Sequence, residues 1–359
     1  PSSPTALNFT AVGSAGMTLN WTDNSANENG FSVYRSTDNV NYTFVSNVAA
    51  DIVTYTATGL LPGQTYYWQV SAFNEGAMSS PAAGSQATNP PGNIVSAATG
   101  NWNDPATWVG GVVPSATDNV IIGDGHTVTL NATGLVCNAL TIGGGTSGVL
   151  QYQATPLAGL TVTTNVTVAA GGTFTAGTGT LFTHTLAIGG SNTNLAAGSL
   201  TNNGTLDLNT TAGVIITFFG SLDGAISGTG SVPDFYSIIV NKGTSPTSVL
   251  DVIVPITMSA PSASGTRLTI TAGTFKMSSA STLTPWFGSQ TICAAAGRLW
   301  LNNASAVMTV VGVGTGTGAG SPTITGELRI DAGTVGYGSG NNTATFSSGT
   351  GVLRMSGGT

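Results

Sequence analysis

The sequence predicts an all-β chain in two parts. An antiparallel β-sandwich covers residues 1–89, a linker runs over 90–99, and a right-handed parallel β-helix covers 100–359, with its N-terminal cap at about 100–130. Three observations predict this. Short β-branched runs alternate apolar and polar residues at period two, glycine and proline punctuate them, and an apolar–x–apolar tripeptide recurs through the second part at rung-like intervals.

Composition supports that reading and excludes several classes. Only 6% of the 359 residues are charged, against about 25% in ordinary soluble domains, and Gly, Thr, Ser and Asn take the place of charge. Hydrophobic residues still make up 40%, so the chain can bury a core and is not disordered. The net charge is −7 and lysine occurs only at Lys242 and Lys276, so nucleic acid is excluded as a partner. No apolar run approaches the length of a membrane span. Cys137 in "LVCNAL" and Cys293 in "TICAAAG" read as two buried thiols, with a long-range disulfide as the alternative. The chain lacks an initiating Met and stops at "RMSGGT" in mid-pattern, so the expectation is a piece of a longer, processed protein.

In residues 1–89, "MTLNWT" alternates Met17, Leu19 and Trp21 with Thr18, Asn20 and Thr22. "FSVYRS" repeats the pattern with Phe31 and Val33, and "YYWQVSAFN" puts Tyr66, Trp68, Val70 and Ala72 on one face. "LLPGQTY" supplies a Pro-Gly turn before that strand. Trp21, the run L-x-P-G-x-x-Y at Leu60–Tyr66 and V-x-A-x-N at Val70–Asn74 resemble a fibronectin type III domain over residues 3–88. The resemblance implies a β-sandwich in which Tyr66 is the tyrosine-corner residue, its hydroxyl bonded to nearby backbone. It implies a spacer or adhesion unit, and no Arg-Gly-Asp tripeptide is present.

After "NPPGN" at 89–93, aromatics thin out and Gly, Thr and Ala rise. The tripeptide recurs as "LTI" 140–142, "LTV" 160–162, "LAI" 186–188, "LDL" 206–208, "IIV" 238–240, "LTI" 268–270, "LWL" 299–301, "LRI" 328–330 and "LRM" 353–355. A spacing of 20–32 residues suits one rung of a parallel β-helix with two or three short strands. The outer residues of each tripeptide are expected inward, in one continuous ladder. The middle ones, Thr141, Thr161, Asp207, Thr269, Arg329 and Arg354, are expected in solvent.

"GNWNDPATWVGGVVPSATDNVIIGDGHTVTL" at 100–130 sits where the solenoid needs a cap against strand-on-strand aggregation. Its pattern G-N-W-x-x-P-A-T-W, then P-x-x-x-D-N-V-I-I and G-x-T-V-T-L, resembles the start of large bacterial surface β-helices found in giant secreted proteins of the Bacteroidota. "ISGTGSVPDFYSIIVNKG" at 226–243 is similar to repeats in the same proteins. The resemblance implies an extracellular or cell-surface location and export through the type IX secretion system. It also implies surface glycans, other surface proteins or secretion components as partners, in attachment or gliding.

The stretch "DNVIIGDGHTVTL" raises chemistry, because Asp118, Asp124 and His126 fall within nine residues and the chain has only two histidines. Asp and Gly there also satisfy tight-turn geometry, and that reading is preferred. His184 is read as an outward strand or turn residue. Asp223 and Asp251, about one rung apart, are the carboxylates that could face each other. Trp286 and Trp300 are the aromatics that could stack on sugar, or else pack loops. No EF-hand or "GGxGxDxUx" repeat occurs, which leaves at most a single Ca²⁺ held by Asp and backbone carbonyls. No catalytic, cofactor or metal residue is assigned. The expected function is a non-catalytic structural or adhesive segment. The alternatives are a carbohydrate-binding or polysaccharide-degrading β-helix and a self-stacking filament subunit. A bare last rung near Leu353–Met355 would favour the filament, although a longer chain cut short gives the same appearance.

Overall fold

Alternation drives the first unit. In the strand Gly16–Thr22, Met17, Leu19 and Trp21 are buried while the residues between them are not. That strand pairs antiparallel with Thr5–Thr10 and Thr54–Thr58. A second sheet is ordered Thr43–Ala49, Gly30–Ser36, Thr65–Phe73, Ala82–Ala87. The inner faces enclose Phe31, Val33, Trp68 and Val70, all fully buried, and the Trp21 and Phe31 rings lie 5.5 Å apart. Tyr66 forms the expected corner: its hydroxyl accepts a hydrogen bond from the Leu61 backbone N–H at 2.9 Å. Gly63 supplies the Pro-Gly turn with φ +66°, a left-handed conformation that a side chain resists.

This computed structural model describes residues 1–180, 184–258, 267–283, 286–287, 291–312, 323–337, 345–346 and 352–356. At 286–287, 291, 309–312, 323, 336–337 and 345–346 it describes the backbone alone. The chain divides into two units, Pro1–Gly92 and Asn93–Thr359.

The second unit is a parallel β-solenoid whose turns carry three short strands, stacked in three columns. The first column runs through Asn93–Val95, Asn119–Ile122, Ala139–Ile142, Val166–Val168 and Leu200–Asn202, and reaches Val352–Met355. The second starts at Leu135–Cys137 and passes through Gly159–Val162, His184–Ile188, Val214–Phe218 and Ser237–Asn241. The third starts at Gly100–Asn101 and passes through Thr127–Leu130, Val149–Tyr152, Thr173–Thr175 and Thr205–Leu208. Inward residues from all three columns form one core running from Trp102 to Ile330. Each fully buried Val, Leu, Ile or Phe contributes about 1.5–3 kcal/mol, which is how a nearly uncharged chain without helical periodicity folds. Polar side chains also stack. Asn138 donates to Asn119 at 2.9 Å and Asn119 to Asn93 at 3.3 Å, tying the first turns of one column by an amide ladder.

Two expectations are corrected here. The recurring tripeptide does not form a single ladder: "LTI" 140–142 and "LWL" 299–301 lie in the first column, "LTV" 160–162 and "LAI" 186–188 in the second, and "LDL" 206–208 in the third. True stacking partners lie from 20 residues apart, Val120 and Leu140, to 34 apart, Val166 and Leu200. The pleat produces the same tripeptide in every column, so the motif cannot tell them apart. The stretch assigned to a linker is also partly solenoid. Within it, Asn93–Val95 pairs in parallel with Asn119–Ile121. A three-residue strand is too short to register as a period.

Candidate functional site

The opening stretch builds turns. Asp118 Oδ2 accepts from both the backbone N–H and the hydroxyl of Ser115, at 2.9 and 2.6 Å. Asp124 Oδ1 accepts from the backbone N–H groups of Gly144, Thr146 and Ser147, at 2.7, 3.3 and 2.9 Å. The Ser147 and Gly144 bonds hold its carboxyl at about 2, below the ordinary 3.8. A carboxylate spent on the turn one rung above it is not a free base.

His126 has a partner that sequence reasoning missed. Its Nδ1 lies 2.8 Å from Ser96 Oγ, which also accepts from the Gly123 backbone N–H at 2.8 Å. A serine–histidine pair at this distance is the first requirement of nucleophilic catalysis. Ser96 is buried and already held by Gly123, and no carboxylate among the described residues orients the ring. The pair latches the first turn to the second. Ser96 falls within the stretch read as a linker, where no motif marks it.

His184 is a correction. It was expected outward and is fully buried. Its Nδ1 accepts from the Ala158 backbone N–H at 3.1 Å, its ring packs on Tyr152 at 4.9 Å, and its Nε2 has no partner among the described residues. The strand His184–Ile188 puts residues 184, 186 and 188 inward, so "HTLAI" alternates from its first residue. Burial pushes the imidazole below its ordinary 6.5. Below that pH the unfolded chain takes up a proton that the folded chain refuses, so stability is lost as pH falls. The loss is at most about 1.4 kcal/mol per pH unit. Urea midpoints at pH 7.5 and 5.0 should show this slope, and His184→Asn, which keeps an acceptor for Ala158, should flatten it. An equal slope in both chains would contradict the assignment.

The carboxylates Asp223 and Asp251 are not brought together. Asp251 lies opposite Ala225 in register and its Oδ2 accepts from Lys276 Nζ at 2.9 Å. Asp223 Oδ1 accepts from the Val249 backbone N–H at 2.8 Å. Cys137 and Cys293 are free and buried, as preferred; burial raises both thiols, that of Cys293 to about 12. In the first unit the carboxylates of Asp23, Glu28 and Asp51 lie within 4.8 Å of one another. This is the group among the described residues that could hold a metal ion.

The concentrated charge lies further along the first column. One outward line there carries hydroxyls, with Thr141, Thr167, Thr201 and Ser227 in register and Thr201 3.2 Å from Ser227. From Asp251 the character changes. Asp251, Lys276, Trp300, Arg329 and Arg354 occupy one outward line, each pairing with the next in register. Lys276 Nζ and Arg329 Cζ lie 4.9 and 4.2 Å from the centroid of the Trp300 ring, and the indole N–H donates to Asp331 at 3.0 Å. Beside this line Glu327 is held from two directions, by Arg298 Nε at 2.7 Å and Arg354 Nε at 3.0 Å. Arg329 pairs with Asp331 at 2.7 Å, which holds that carboxyl below its ordinary value. A trough of about 520 Å³ opens along these side chains, lined by Arg298, Glu327, Arg329, Asp331, Arg354 and Ser356, with Met355. Trp300 is thus outward, as one reading held. The side chain of Trp286 lies outside the described residues. The middle residues of "LWL", "LRI" and "LRM" already spelled Trp, Arg, Arg. Only the register shows that they adjoin one another and Lys276.

No helix among the described residues is long and apolar enough to cross a membrane. A comparison with curated proteins finds no match. Residues 2–85 match the family model of the fibronectin type III domain. Among solved structures, the chain is similar to domains A168–A170 of titin at 20% identity over 25% of this chain and 32% of that one, TM-score 0.23. It is similar to a two-domain fibronectin type III segment of chicken tenascin at 19% identity over 24% and 50%, TM-score 0.23. A fibronectin type III domain of human collagen XX matches at 20% identity over 24% and 90%, TM-score 0.22. The chain therefore spans about a third of the titin segment and half of the tenascin segment. The chain opens with a fibronectin type III domain at residues 2–85 and continues from Asn93 as a parallel β-solenoid.

Proposed function

We propose that the chain is a non-catalytic structural and adhesive segment of a large extracellular protein, a stiff stalk displayed on a bacterial surface. The carrying observation is the single apolar core shared by all three strand columns from Trp102 to Ile330. A rod stacked turn on turn resists bending because each turn is hydrogen-bonded and packed to the next, and its sparse charge makes it insensitive to salt. A fibronectin type III domain is typical of extracellular proteins, which supports the location. The resemblance of residues 100–130 and 226–243 to Bacteroidota surface proteins supports attachment or gliding as the setting and type IX secretion as the route.

The test is a polysaccharide-cleavage and glycan-binding screen of the whole chain beside an Asp124→Ala/His126→Ala double variant. Neither chain should cleave any polymer, and both should bind the same glycans with the same affinity. Cleavage by the parent that the variant has lost would overturn the non-catalytic reading and turn the first turn of the rod into an active site.

A further inference from the structure

The geometry points to the outward line Lys276–Trp300–Arg329–Arg354, with Arg298 beside it, as a binding site for a linear polysaccharide of uronic acids lying along the solenoid axis. The inference rests on the adhesive reading and names its ligand class.

Three features carry it. The first is placement. The whole chain has seven Lys and Arg in 359 residues, and four of them, Lys276, Arg298, Arg329 and Arg354, meet on one face over successive turns. Against them stand three carboxylates, Asp251, Glu327 and Asp331, so this face carries one surplus positive charge in a chain of net −7. The second is donor capacity. A guanidinium offers five N–H groups in a planar fork. Arg298 and Arg354 each use Nε on Glu327, leaving the terminal nitrogens of both without a described acceptor. The third is shape. Stacked strands repeat every ~4.8 Å, so the line from Lys276 to Arg354 spans about 14 Å. The open trough of about 520 Å³ lies at its far end, beside Arg298, Arg329 and Arg354. An extended chain seated in the trough can continue over Trp300 to Lys276, which a compact ligand held in the trough would leave uncontacted.

The chemistry selects carboxylate. The face already shows how it grips one, with Glu327 shared between two arginines at 2.7 and 3.0 Å. A surplus of one charge is a weak field, suited to a polymer with one carboxylate per sugar. A densely sulfated or phosphorylated chain would need a larger excess of cations than the three internal acids allow.

The experiment titrates the full chain with oligogalacturonate, with neutral dextran of equal size and with dextran sulfate, at low and at physiological salt. Oligogalacturonate should bind, weaken as salt rises, and outcompete both others. Arg354→Gln and Arg298→Gln should each weaken it about tenfold, the loss of one charge-assisted hydrogen-bonding group. Asp124→Ala, many turns away, should leave it unchanged, and equal urea midpoints would show that every variant is folded. Three results would overturn the site: no binding by the folded parent, equal binding of neutral dextran, or an unchanged affinity in both arginine variants. Tighter binding of dextran sulfate would replace the uronate assignment with a charge-only surface and leave the adhesive reading standing. Cleavage of the oligogalacturonate would instead sink the adhesive reading itself.

Discussion

Replacing Lys242 with alanine should lower the unfolding free energy by about 3 kcal/mol at pH 7, among the largest effects of any single polar residue in the chain. Lys242 is fully buried at the turn "NKG". Its ammonium donates to the carbonyls of Ala197 at 2.6 Å and Phe219 at 2.8 Å, so one side chain ties two loops far apart in sequence. Alanine removes three buried methylenes, worth about 2.4 kcal/mol, and leaves two carbonyls without that donor at about 1–3 kcal/mol each. Against this stands the cost of burying a charge. Burial brings the amine down to about 8 from an ordinary 10.5, despite the nearby Asp223, and relief of that cost returns about 3 kcal/mol. The lost contacts win. The sign of the pH dependence is a second check. Between about 8 and 10.5 the unfolded lysine keeps a proton that the folded one has released, so the parent gains stability as pH rises through this window. The variant lacks that gain, and the difference between the two chains should grow. Urea denaturation at pH 7.5 and 9.5 measures both effects. A variant within 1 kcal/mol of the parent, with a parallel pH slope, would contradict the account.

Trp102→Ala should cost the solenoid about 3–5 kcal/mol and leave it prone to aggregation. Trp102 and Trp108 are buried in the solenoid core, their rings edge to face at 5.2 Å, and the Trp108 indole N–H donates to the Trp102 carbonyl at 2.7 Å. The edge-to-face pair adds about 0.5–1.5 kcal/mol to the area that both rings bury. Its removal opens the core beside the first strands, whose backbone edges would then be available to another chain. Thermal unfolding and light scattering on the full chain would show a lower midpoint and a faster rise in scatter. Trp108→Phe, which keeps the ring and loses the indole donor, should cost far less. Equal effects of the two substitutions would show that packing of the pair does not matter.

Much of the fold was legible because its causes are local. Met17, Leu19 and Trp21 alternate with threonine and asparagine because a pleated strand shows alternate residues to opposite faces, and the structure buries those three. Tyr66 and its Pro-Gly turn are five residues of one corner, and the hydroxyl meets Leu61 as the motif implies. The buried thiols could be read from the apolar runs around them.

What the sequence by itself determined is therefore the all-β class, the sandwich, the solenoid and the inward residues of the strands that carry the tripeptide. The tertiary structure decided which strands stack. Turns of 20 to 34 residues erase any fixed period, so only the folded registers bring Lys276, Trp300, Arg329 and Arg354 into one line. The same holds for the Ser96–His126 latch, the buried His184 and Lys242 reaching Ala197 and Phe219. Each depends on a contact more than twenty residues away in sequence. A pleat is set by a residue's nearest neighbours, whereas a stacking partner is set by the length of every loop between.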